Sequence, residues 1–369
     1  MQRALMAMVL LALPALAHAQ VTAAAGYTPP DDTQATKVGA VIFYDYTFTK
    51  TPKATDAAGN SISSSAFNVP RTYINITGNI SHNVAFRITP DVSRETNATP
   101  SLSGSYVFRM KYGYAQFNMD EWTGDWKQTF VRVGIQQTPY IDAQESVYRY
   151  RFQGTVFVER DGLLASSDAG ITFHTNLPSN YGDIHVGYYN GEGYSKPEVN
   201  DQKALMARAT FRPFPGGSFL VKGLRFTGFT IQDHTVKDAD RNRYVASAFY
   251  EHSRLNAGFD YLKLKNQTLP TTTAVEQDGW SFFVTPFFKE KGNGFEALVR
   301  YDSFRTNKVT APDARQNRTI AGLAYWFPHP GGNSTAALLL DFEQVAFKNY
   351  TGTIPAKQQR ITLHGLINF

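Results

Sequence analysis

The side chains of this chain with the clearest capacity to act on a solute are charged residues on alternating segments. Over residues 71–80, Arg71, Tyr73, Asn75, Thr77 and Asn79 share one face, while Ile74, Ile76, Gly78 and Ile80 share the other. Over 84–89, Val84, Phe86 and Ile88 oppose Ala85, Arg87 and Thr89. Over 106–115, Tyr106, Phe108, Met110, Tyr112 and Tyr114 oppose Arg109 and Lys111, and over 295–303, Phe295, Ala297, Val299 and Tyr301 oppose Glu296, Arg300 and Asp302. A period of two is that of a strand with two unlike faces. If the apolar face meets lipid, the inward cations are Arg71, Arg87, Arg109, Lys111, Arg132, Arg208, Arg212, Arg243, Arg300, Arg318 and Arg360. The inward acids are Asp45, Glu251, Glu296, Asp302, Asp341 and Glu343, so cations dominate the first half and acids gather late. Facing clusters of charge set ion selectivity in pores, and a guanidinium fork matches carboxylate and phosphate oxygens. The plainer alternative is a solvated wall of paired charges, Arg300 neutralised by Glu296 or Asp302.

A long connection over 138–167 carries Tyr140, Asp142, Glu145, Tyr148, Arg149, Tyr150, Arg151, Glu159, Arg160 and Asp161. A loop of about 30 residues is uncommon unless it has a function. If its middle is extended, Arg149 and Arg151 turn to one side and Tyr148 and Tyr150 to the other. The expected constriction therefore comprises Tyr148, Arg149, Tyr150 and Arg151, facing Arg71, Arg87, Arg109, Lys111 and Arg132. The alternatives are an ordinary surface loop, or arginines paired with Glu145, Glu159 or Asp161. No catalytic, metal or cofactor site is expected. His82, His174, His185, His234, His252, His329 and His364 show no metal-ligand spacing, no G-x-S-x-G occurs, and there is no Cys.

Such faces need a wall to hold them. Strands are expected near 38–49, 70–80, 83–90, 104–116, 128–137, 168–177, 181–190, 203–213, 217–231, 242–252, 254–265, 276–289, 294–305, 316–327, 334–346 and 357–369. That is about sixteen, an even number as in bacterial outer-membrane barrels. Short connections carrying turn residues, such as Pro213 to Gly217 and Gly292-Asn293-Gly294, alternate with long polar ones near 50–66, 91–102, 138–167, 191–202, 232–241, 266–275, 306–315 and 347–356. The connection 117–127 is long for the short-turn rim. The fold class expected is all-β: a transmembrane antiparallel β-barrel with long extracellular loops and short periplasmic turns.

The rest of the sequence agrees. Arg3, an apolar run to Leu16 and Ala17-His18-Ala19 read as a signal peptide over 1–19. Residues 20–36 would form a periplasmic segment and 37–369 the barrel. Mean hydropathy is −0.32, which leaves no helical span after the signal, yet 27 Phe and 20 Tyr are present. The last strand alternates Ile361, Leu363, Gly365, Ile367 and Phe369 on one face, similar to the terminal signal that outer-membrane proteins present to the barrel-assembly machinery. The net charge of +5 is too small and dispersed for nucleic-acid binding.

Several stretches resemble the phosphate-selective porin O/P family: 131–140 (VRVGIQQTPY), 189–193 (YNGEG), 208–214 (RATFRPF), 317–326 (NRTIAGLAYW) and the terminal strand. The resemblance spans most of the mature chain in order and spacing. It implies sixteen strands, a homotrimer and an inward-folded third loop. No heptad segment lies between Gln20 and Lys37, and the family's phosphate-binding cations have no residue-by-residue match, so phosphate specificity does not carry over. The function expected is an outer-membrane porin passing small solutes with a preference for anions such as phosphate. The alternative is a barrel enzyme or surface adhesion protein. The partners expected are outer-membrane lipid and small anionic solutes.

Overall fold

The computed structural model describes residues 32–95, 102–328, 335–350 and 356–369. The expected signal peptide, most of the segment 20–36 and most of the turn expected at 328–333 lie outside them. Seventeen strands occur among the described residues: β1 (Ala35–Thr55), β2 (Ser61–Asn79), β3 (Val84–Arg94), β4 (Tyr106–Asn118), β5 (Phe130–Gln137), β6 (Ser167–Asn176), β7 (Gly182–Tyr189), β8 (Ala204–Phe211), β9 (Leu224–Gln232), β10 (His234–Val236), β11 (Ala239–His252), β12 (Leu255–Asn266), β13 (Val275–Pro286), β14 (Gly294–Arg305), β15 (Arg315–Trp326), β16 (Thr335–Lys348) and β17 (Gln358–Asn368). Sixteen form the wall, each antiparallel to its neighbours, and β10 is a short ribbon on β11. The wall closes where β1 pairs with β17, from Val41 opposite Asn368 to Thr51 opposite Gln359. Phe369 completes the seam, its N–H donating to the Ala40 carbonyl at 3.0 Å and its carbonyl accepting from Ala40 N–H at 2.9 Å. Beside it the Tyr44 ring lies over Gly365, where any Cβ would overlap the ring, an aromatic filling the gap a glycine leaves in a sheet.

No helix among the described residues is long and apolar enough to cross a membrane. The strands do the crossing. Tyr44, Phe108, Phe173, Phe282, Val299, Leu340 and Ile361 all stand exposed on the outer face. A closed sheet satisfies every wall hydrogen bond, and so large an apolar exterior belongs in lipid. The chain is therefore a multi-pass barrel of the outer-membrane type, its long loops on the extracellular rim.

The expected strand set holds, with differences that have physical causes. The connection expected at 50–66 is mostly strand, because β1 and β2 run on past the rim as a hairpin, Thr55 pairing Ser61. The connection 232–241 is likewise largely built of β10 and the start of β11. Strand β9 begins at Leu224, not 217, because residues 218–222 turn, with the Val221 and Lys222 N–H groups donating to the Ser218 carbonyl. The long turn at 117–127 is confirmed as a compact turn held by the Trp122 and Trp126 N–H groups.

One face assignment is corrected. Tyr112 and Tyr114 were expected outward with Tyr106, Phe108 and Met110, but they are buried inside. Thr89 pairs Tyr112 while the next residue, Pro90, pairs Met110. Lys111 is thus an extra residue on β4, a bulge opposite a proline that has no N–H to give the ladder. The bulge turns Lys111 and Tyr112 inward together. At the first short turn, His82 bonds Asp32 at 2.5 Å and lies 3.2 Å from Glu121. The Asp32 hydrogen bond raises its imidazole above the usual range and joins Asp32, just ahead of β1, to this short turn.

Candidate functional site: a loop folded into the lumen

The connection from β5 to β6 enters the barrel. Its neck is closed by Thr138, whose N–H donates to the Ser166 carbonyl at 3.1 Å and whose hydroxyl donates to Ala165 O at 2.6 Å. Pro139 then starts helix α1 (Pro139–Glu145), in the first-turn position proline tolerates. Past the helix the chain crosses the lumen, and Tyr140, Val147, Tyr150 and Val158 have no exposed surface at all.

The loop is locked to the late strands. Tyr140 Oη donates to Asp260 on β12, joined there by Ser247 Oγ at 2.7 Å and by Gln144. Asn256 Nδ2 donates to Val147 O at 3.0 Å. Arg149 meets Glu296 of β14 at 2.8 and 3.1 Å, Tyr150 Oη donates to the same carboxylate at 2.8 Å, and the Arg149 guanidinium lies 4.0 Å from the Trp326 ring centre. Gln153 donates to Glu343 at 2.8 Å, and Arg160 lies 3.6 Å from that carboxylate. Arg300, itself bidentate on Asp302, donates to Thr155 O at 2.9 Å. Between these polar anchors the loop packs a hydrophobic core. Tyr148 meets Phe283 edge-on at 5.1 Å, Phe152 lies near Phe43 and Trp326, and Phe157 reaches the bare backbone of Gly279. Side chains lining the lumen on strands all round the wall are buried at this height, among them Asn75, Lys111, Arg132, Arg208, Ser247, Asp260, Arg300, Ile320 and Glu343. Loop and wall pack against each other there and narrow the lumen.

The early strands carry the cations. Arg87 bonds Asn75 and Thr89 and lies over Tyr112. Lys111 sits 4.6 Å from the Tyr73 ring centre and 3.5 Å from its hydroxyl. Arg132 bonds Gln116 and Gln137 and lies 4.1 Å from the Phe130 ring centre. Among the described residues neither Lys111 nor Arg132 has a carboxylate within ion-pair distance. Arg71 is paired with Asp91, which also accepts from Tyr194 of the next extracellular loop at 3.0 Å, and Arg109 bonds Ser93.

The two loop arginines do not share a side, as an extended segment would require. The Gln153 N–H closes a turn on Tyr150 O at 2.9 Å. Arg149 faces the acidic wall. Arg151 faces the cationic side, 2.8 Å from Glu145 and 3.7 Å from Glu159. Pairing with Glu145 and Glu159 is what the alternative for the loop anticipated. The tyrosines do pack on the wall. Sequence reasoning missed Asp260 and Trp326 as anchors. Asp260 was accessible from its alternation with Phe259 and Tyr261; Trp326 was not, because an inward tryptophan breaks the apolar-out rule.

No family model and no curated protein matches the sequence. Solved structures do match. The anion-selective porin from Comamonas acidovorans has a TM-score of 0.59 at 11% identity, covering 91% of this chain and 100% of that one. Salmonella typhi OmpF in complex with daunomycin gives 0.59 at 11%, covering 90% and 97%. The outer-membrane channel DcaP of Acinetobacter baumannii gives 0.57 at 10%, covering 94% and 100%. The fold is that of an outer-membrane porin. At these identities the likeness is one of architecture.

Proposed function

We propose that this porin-fold barrel is an outer-membrane diffusion channel for small solutes with a preference for anions, and that the loop 138–166 is its constriction. The observation that carries the reading is the division of the lumen. The loop is anchored to Asp260, Glu296 and Glu343, its arginines pairing with the two glutamates and its neutral donors with the aspartate, so the acidic half is covered. The other half holds Arg87, Lys111, Arg132 and Arg151, buried where loop and wall meet, with Arg87, Lys111 and Arg151 around a small cavity. A solute passing the loop on that side meets a positive surface, which draws anions and repels cations. The constriction residues are Tyr148, Arg149, Tyr150 and Arg151 on the loop, and Arg71, Arg87, Arg109, Lys111 and Arg132 on the wall. Within that set Tyr148, Arg149 and Tyr150 hold the loop, and Arg151 and the wall cations form the side on which a solute would pass, Arg71 already paired with Asp91 and Arg151 with Glu145.

The local resemblance to phosphate-selective porins and the anion-selective neighbour support an anion class without choosing phosphate. Assembly as a homotrimer and insertion by the barrel-assembly machinery through Phe369 belong to the same proposal. One solved neighbour, OmpT of Vibrio cholerae, is described in a trimer form. The test is the double variant Lys111→Glu/Arg132→Glu in a planar bilayer under a salt gradient. The reversal potential is expected to move towards the cation value. A potential that does not move means the basic wall does not filter ions.

A further inference from the structure

The loop turns two carboxylates, Glu145 and Glu159, toward Arg151 on the cationic side. Glu145, the last residue of α1, is buried and bonds Arg151 of its own loop at 2.8 Å. Beside it lies a cavity of about 20 Å³ lined by Tyr73, Asn75, Arg87, Lys111, Tyr112 and Arg151 as well as Glu145, room for a water molecule. The lining holds three cations and one carboxylate. Lys111, brought in by the β4 bulge, makes no ion pair of its own among the described residues.

We propose that this pocket is a binding site for small monocarboxylates, and that the Glu145 carboxylate occupies it in their place. The inference rests on the channel reading and names the class of ion that the basic side holds. Three features point to a carboxylate. The resident group is one, so exchange keeps the charge and the number of acceptor oxygens. Arg151 and Lys111 supply charge-assisted donors suited to it. The rings of Tyr73 and Tyr112 give a short alkyl tail an apolar surface on which to lie. Exchange is also local. Glu145 contacts no wall carboxylate or wall anchor, so its side chain can leave without breaking the Glu296, Glu343 or Asp260 attachments. Withdrawal of Glu145 leaves Lys111 without a carboxylate and Arg151 with only the more distant Glu159 at 3.7 Å, which favours an incoming anion.

The experiment measures block of chloride current by added sodium propionate in planar bilayers, for the wild type and for Glu145→Gln. Removing the resident carboxylate is expected to lower the half-blocking propionate concentration about tenfold. Adding Lys111→Gln to that variant is expected to abolish the gain. Glu145→Asp, which keeps the charge but retracts it, is expected to fall between and guards against a fold defect in the amide variant. Equal propionate midpoints in wild type and Glu145→Gln overturn the proposal while leaving the channel standing. Inorganic phosphate blocking Glu145→Gln as well as propionate overturns the carboxylate assignment. Absence of chloride current in every form overturns the channel reading and this inference with it.

Discussion

Excising residues 140–163 is expected to raise single-channel conductance several-fold while the barrel still inserts. Thr138 and Ser166 are already hydrogen-bonded at the loop neck, so the cut leaves a short connection between β5 and β6. The wall ladder from Phe130 opposite His174 to Gln137 opposite Ser167 is untouched. What is lost is the loop that narrows the lumen, and a barrel of sixteen strands without it leaves a wider aqueous channel. Phe43, Phe283 and Trp326, now covered by the loop, would meet water, so some thermal stability is expected to go as well. Conductance equal to that of the full-length chain would show that the loop does not limit flow.

The second large effect is expected from Glu296→Gln. Glu296 is fully buried, bonds Arg149 through both oxygens, and accepts from Tyr150 Oη at 2.8 Å and from the Gly292 N–H at 2.6 Å. Arg149 is 1% exposed. Removing one partner of a buried pair leaves the other charge uncompensated, at a cost of about 3–5 kcal/mol. That cost falls on loop docking, because the wall pairing of β14 is backbone-made. Amide exchange over 146–160 is expected to accelerate by orders of magnitude, with β14 and β15 unchanged. Unaltered exchange in the loop would mean that the aromatic packing of Tyr148, Phe152 and Phe157 holds it without the ion pair.

These effects show where the sequence could be read and where it could not. The wall was legible because a barrel strand repeats every two residues. Ile74 against Asn75, Phe86 against Arg87 and Val299 against Arg300 each state a lipid side and a lumen side. Two things broke the reading. The Lys111 bulge shifts the alternation by one residue, and only Pro90 on the neighbouring strand betrays it. The loop also gives the lumen a hydrophobic core, so Phe43, Phe249, Leu262, Phe283 and Leu298 point inward, against a rule that assumes a watery interior. The loop's length was a sound sign that it mattered. Its path was beyond local pattern, because Arg149 is held by Glu296 and Trp326, more than a hundred residues away, while Arg151 turns to Glu145 and Glu159 of the loop itself.

The central claim is that this lumen passes ions and prefers anions. It is tested most directly by reconstituting the full chain in a planar bilayer under a potassium chloride gradient and reading the zero-current potential. Discrete conductance steps with a potential on the chloride side of zero are the predicted result. Cation selectivity, or a folded and inserted barrel that never conducts, would contradict it.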